Sequence, residues 1–187
     1  MSNYDITAAQ TYHEMTNYTP QRLSQNSHVL DPSNRPLPYK IYSSLTPLPL
    51  PKDLPVRPLS ALAAIASSGV SPAGGRVPDR EDLARLCLFS NGVTKVLRFS
   101  GHEYPMRAAA CTGALFHIEL YLVCGELADL AAGIYHYSAH DHALRLLRAG
   151  DFRQVLVDAT ASEPAIAHAP VIAISTSTFW RNAYKYR

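Results

Sequence analysis

Two short runs constrain this chain more than anything else in it: Ile118–Cys124, which reads IELYLVC, and residues 170–176, which read PVIAIST. Each is rich in β-formers and apolar on both faces, so each needs neighbouring strands and covering layers to leave water. Gly125 bounds the first. Between the two, residues 133–137 and 142–147 flank a Ser-Ala-His-Asp turn and read as a hairpin. Residues 151–160 read as a short helix capped by Asp151. Upstream, Asp79-Arg80-Glu81-Asp82 leads into Leu83, Leu86, Cys87 and Ser90. That is a helix with Asp79 as N-cap, acids in the first turn and Gly92 closing it. Residues 178–187 begin one more helix. The order predicts an α+β fold with a central, mainly antiparallel sheet flanked by helices, incomplete at its C-terminal end.

The first third has a different composition. Residues 1–58 are rich in Pro, Tyr, Asn and Ser and end in LTPLPLPKDLPVRP. Prolines fix φ and remove backbone donors, so residues 46–58 should be extended and outside any sheet centre. The expected division is an extended arm over 1–58 and a folded domain over 59–187. A net charge of +2 argues for neither nucleic acid nor an anionic membrane surface. The start is polar and carries no signal-like h-region, and the weakly polar run 59–70 is too interrupted to span a bilayer. Three cysteines with no C-x-x-C, Cys87, Cys111 and Cys124, fit reduced thiols in a cytoplasm.

Chemistry is most concentrated in Arg107-Ala-Ala-Ala-Cys111-Thr112-Gly113-Ala114-Leu115-Phe116, directly before IELYLVC. Small residues let backbone approach a flat ligand, and successive N–H groups can donate to its heteroatoms. The same residues also read as a turn packed closely on the sheet. His136, His140 and His142 invite a metal, but nothing compels them to converge, and a solvated hairpin end is the simpler expectation. His13-Glu14 is not an H-E-x-x-H, and Cys111 has no base placed by sequence, so a packed thiol is expected there.

The segment RAAACTGALFHIELYLVCGE resembles the flavin-facing segment of the SagB-type dehydrogenases, a branch of the FMN-dependent nitroreductase superfamily that includes the ThcOx-like azoline oxidases. TYHEMT, YKIYSSLTPLPLP, LARLCLFSNGVTK, GIYHYSAHDHALRLLRAGDFR and APVIAISTSTFWRNAYKYR resemble further blocks of that family in the same order. The resemblance implies a nitroreductase-like fold that dimerises and binds FMN at the dimer interface, with hydride transfer between a small-molecule or peptide substrate and the flavin. It implies that Arg107, Cys111, Thr112, Gly113, Ala114 and Leu115 face FMN. It further implies that Lys185 and Tyr186 match the catalytic Lys-Tyr pair, one accepting a substrate proton. Without it, the pair reads as a solvated lysine beside a packing tyrosine.

Three departures from the family pattern stand out. An Arg-Arg-Ser-x-Arg run that would hold the FMN phosphate is replaced by residues 64–70, AIASSGV, so charge-assisted partners are lacking there. Cys111-Thr112 stands for Ser-Ala and His117 for Pro. The family continues past Lys-Tyr, whereas this sequence stops at Arg187. The sequence therefore supports two functions: an FMN-dependent oxidoreductase present as its N-terminal part, or a flavin-less relative or fragment that acts only in dimerisation or interaction. A missing C-terminal half is the other partner expected beside a homodimer.

Overall fold

The computed structural model describes residues 6–25, 29–55, 59–66 and 76–186. The chain divides into two compact units, Met1–Arg35 and Pro36–Arg187. The first holds α1 (Thr7–Thr16), α2 (Pro20–Gln25) and a 3-10 turn at Pro32–Asn34. The helices are a departure from the extended arm expected over 1–58. TAAQTYHEMT contains no proline and no glycine, and nothing in it opposes a helix. No side chain of α1 is buried, so no apolar stripe announced it.

The second unit begins at Pro36, well before the expected boundary at residue 59. Its elements are β1 (Pro47–Pro49), α3 (Ala61–Ala66), α4 (Arg80–Asn91), β2 (Val93–Phe99), β3 (His102–Arg107), a 3-10 turn at Thr112–Ala114, β4 (Ile118–Cys124), β5 (Gly133–Ser138), β6 (Ala143–Ala149), α5 (Arg153–Ala159), α6 (Pro164–Ala167), β7 (Val171–Ser177) and α7 (Trp180–Ala183). The main sheet runs β1-β6-β5-β4-β7, with every neighbouring pair antiparallel. This is the expected α+β arrangement. The proline-bearing β1 is an edge strand, as its missing donors require.

Period-two alternation divides β4 between two environments. Leu120, Leu122 and Cys124 join Tyr135, Tyr137 and Leu144 and pack against Leu83, Ala84 and Cys87 of α4 in one core. That helix is held at its start by a capping box: Asp79 accepts from the Asp82 N–H, and the Asp82 carboxylate accepts from the Asp79 N–H. Glu119 and Tyr121 point the other way. Among the described residues β7 pairs with β4 alone and leaves Ala173 and residues 175–177 exposed, so of the two strands β4 is the one buried as its sequence predicts.

Other expectations need correction. The N-cap position of α5 is Phe152, which makes no side-chain cap bond, and Asp151 one residue earlier accepts from the Arg153 backbone and side chain. His136 and His142 are buried, so the hairpin end is not simply solvated; His140 alone of the three is exposed. The β2–β3 hairpin, absent from the expected elements, turns at Ser100-Gly101 with φ of 50° and 77°. No helix among the described residues is long and apolar enough to cross a membrane.

Candidate functional site

The loop before β4 is a sequence of left-handed residues. Gly113, Ala114 and Phe116 have φ of 63°, 53° and 43°, and two of them carry a β-carbon that this conformation strains. Something must hold them there. The Phe116 N–H donates to Sγ of Cys111 at 3.1 Å, and Arg181 donates to the Phe116 carbonyl at 2.7 Å. Leu115 is buried, whereas Thr112, Gly113 and Ala114 are exposed and Cys111 is half-buried.

β7 carries the C-terminal residues back to this loop. The ladder pairs Ile118 with Ser177, and the Thr178 N–H extends it to the His117 carbonyl at 2.7 Å. α7 then turns the chain over Gly113. A β-carbon added at Gly113 would stand 2.8 Å from the phenol oxygen of Tyr186 and 3.4 Å from Cδ of Lys185. Lys185 is exposed, with its ammonium 5.5 Å from the centroid of the Tyr186 ring. Gly113, Lys185 and Tyr186 thus meet at one junction although they are far apart in the chain.

Arg107 does not reach that junction. It is buried and donates to Oδ1 of Asn91 at 3.3 Å, to the Ile118 carbonyl at 3.5 Å and to the Pro38 carbonyl at 2.5 Å. Its guanidinium lies 5.3 Å from the rings of both Tyr39 and Phe116. Burial lowers its pKa, with Arg181 adding to that and Glu119 opposing it. The side chain supports the loop from behind.

Sequence reasoning missed the polar cluster beneath this loop. Glu119, fully buried, ion-pairs with Arg181 and meets Nε2 of His136 at 3.3 Å. Burial alone would raise the Glu119 pKa. Hydrogen bonds from His136 and Arg181, and the charges of Arg181 and Arg107, hold it below its ordinary value. Beside it, Lys40 donates to the Tyr121 hydroxyl at 2.9 Å, and the Tyr42 hydroxyl lies 3.4 Å from the same oxygen. A glutamate inside an apolar strand and a histidine between two strand tyrosines were the available signals. No group of histidines, cysteines or carboxylates placed to hold a metal occurs among the described residues.

FMN fits this arrangement poorly. The small-residue surface that should lie against a flavin ring is approached at Gly113 by the chain's own Tyr186 and Lys185, although Gly113 itself stays exposed. The two guanidinium groups nearest the loop are both committed, Arg107 to carbonyls and Asn91, Arg181 to Glu119 and Phe116. A phosphate dianion would have to break those bonds to gain its own.

Among solved structures, the chain is similar to one titled a "putative nitroreductase" from Anabaena variabilis ATCC 29413. The match has a TM-score of 0.71 at 28% identity and covers 95% of this chain but 33% of that one. The chain thus spans about a third of the length of that relative. No protein-family model matches the chain, and no curated protein matches it. The chain is a fold relative of the nitroreductase superfamily.

Proposed function

We propose that this chain is a non-catalytic, flavin-less relative of the nitroreductases that acts as a dimerisation and interaction module. The single observation that supports this reading is that the guanidinium groups beside the loop are already engaged, Arg107 by the Pro38 carbonyl and Arg181 by Glu119, while Tyr186 approaches Gly113. Exposed apolar side chains support a second copy as the partner. Leu86 and Phe89 on α4 and Val96, Leu97 and Phe99 on β2 are all uncovered. Its three free, widely spaced cysteines support a reducing, cytoplasmic setting for that module.

A second reading keeps the family's chemistry. It is an FMN-dependent oxidoreductase in which residues 111–115 face the flavin and Lys185 or Tyr186 takes the substrate proton. The convergence of Gly113 with Lys185 and Tyr186 favours it. It requires Tyr186 to swing off Gly113 and a phosphate site from elsewhere. The specific SagB branch, with a peptide azoline as substrate, belongs to this reading alone.

Purified protein separates the two. A colourless preparation that elutes as a dimer by size exclusion with light scattering supports the module. Absorption in the flavin bands, retained through the column, supports the oxidoreductase.

A further inference from the structure

A second concavity lies apart from the Gly113 junction and shares no lining residue with it. Its volume is about 360 Å³, and it is lined by Leu37, Tyr39, Lys40, Thr178, Trp180 and Arg181. The walls are mainly apolar: two aromatic rings and a leucine. Two of its six lining side chains are cations. Lys40 hydrogen-bonds the Tyr121 phenol at 2.9 Å and lies over the Tyr42 and Tyr121 rings at 5.2 and 5.6 Å. Its contacts are therefore with phenols and π-faces. Arg181 is buried to 2% exposure, and its Nε has no hydrogen-bond partner among the described residues. Behind the cleft, Arg181 pairs with Glu119 and Arg107 also feels that carboxylate's charge, so among these three groups positive charge is in excess.

We infer that this cleft binds a small aromatic carboxylate. Its volume is in the range of small-ligand sites, which are typically about 300–1,000 Å³, and its walls suit a single aromatic ring. The ring would pack against Trp180 and Tyr39, and the carboxylate would lie toward the Lys40 ammonium. A phosphate or a nucleotide fits less well, because the cleft offers few donors and mostly hydrocarbon. None of residues 107, 111–115, 185 and 186 lines the cleft; Arg181, which holds the Phe116 carbonyl, is the one group it shares with the loop's support.

The molecule supplies its own reporter. Trp180 is the chain's one tryptophan, so its fluorescence reads this cleft without background. Titration of the full chain with sodium benzoate should change Trp180 emission saturably, and benzyl alcohol should bind at least about tenfold more weakly for want of the charge-assisted bond. Lys40→Met keeps the stem and removes the ammonium; it should weaken benzoate by about tenfold and leave benzyl alcohol unchanged. Gly113→Val should bind benzoate as the parent does. Circular dichroism of Lys40→Met confirms its fold, and calorimetry on Trp180→Phe gives a reading that does not depend on fluorescence. A linear, unsaturable titration, equal binding of benzoate and benzyl alcohol, or full benzoate affinity in folded Lys40→Met overturns the inference.

Discussion

Replacing Arg181 with methionine tests the buried cluster that ties the C-terminal residues to the sheet. The guanidinium holds the Glu119 carboxylate and the Phe116 carbonyl at once. Its removal leaves a carboxylate that is 2% exposed, with His136 at 3.3 Å as its remaining hydrogen-bond partner. Breaking one side of a buried ion pair costs about 3–5 kcal/mol, and Arg181→Met should lose that much near neutral pH. The pH dependence follows from the sign of the Glu119 shift. In the parent, the folded pKa lies below the ordinary value, so its stabilisation is present above the unfolded pKa. It is lost as pH falls through the lower folded value. In the variant burial dominates and the folded pKa rises above the unfolded one. The folded state then binds the proton more tightly, and acid relieves the penalty. Urea unfolding at about pH 7 and about pH 4.5 should show the gap between parent and variant narrowing at the lower pH. Adding Glu119→Leu should restore most of the loss, since a pair replaced by apolar groups costs little. A loss below about 1 kcal/mol, or the same loss at both pH values, would refute the assignment of Glu119 and Arg181 as a charged pair.

Three further outcomes follow from the same geometry. Gly113→Val should be destabilised by about 1–2 kcal/mol, from its left-handed φ and its approach to Tyr186; urea unfolding measures it, and an unchanged midpoint counts against that backbone geometry and contact. Cys87 and Cys124 are buried, with burial pushing both thiols up to about 12, so a thiol reagent at neutral pH should label Cys111 alone until the chain is unfolded. Leu86→Glu with Phe89→Glu should shift light-scattering mass from dimer to monomer while leaving the helical circular dichroism intact; a persistent dimer moves the interface elsewhere.

The sequence was most legible where local chemistry and burial agree. Asp79 and Gly92 carry recognisable cap chemistry, and α4 begins and ends with them. IELYLVC is bounded by glycine and buried, and β4 has the same limits. The β2–β3 hairpin escaped because six of the seven β2 residues are exposed, so no buried face imposes an alternation to read. Its Ser-Gly turn was the one available mark. The site divides in the same way. Gly113, Lys185 and Tyr186 could be named from a resemblance, and the pairing of β4 with β7 brings them to one place. The partners of Glu119 could not be named, because Arg181, His136 and Arg107 reach it from three separate elements. Nor could the capture of Arg107 by the Pro38 carbonyl, which depends on where a proline-rich segment lies.

The proposed function holds that the loop before β4 takes no flavin, because the guanidinium groups beside it are engaged by the chain's own residues. Its most direct test is an equilibrium titration of FMN fluorescence with the purified chain. The expected result is that excess protein leaves the emission of free FMN unchanged and that Tyr186→Ala, which removes the phenol beside Gly113, does not by itself create tight binding, because Arg107 and Arg181 remain paired. Saturable, stoichiometric quenching by the parent chain would contradict it.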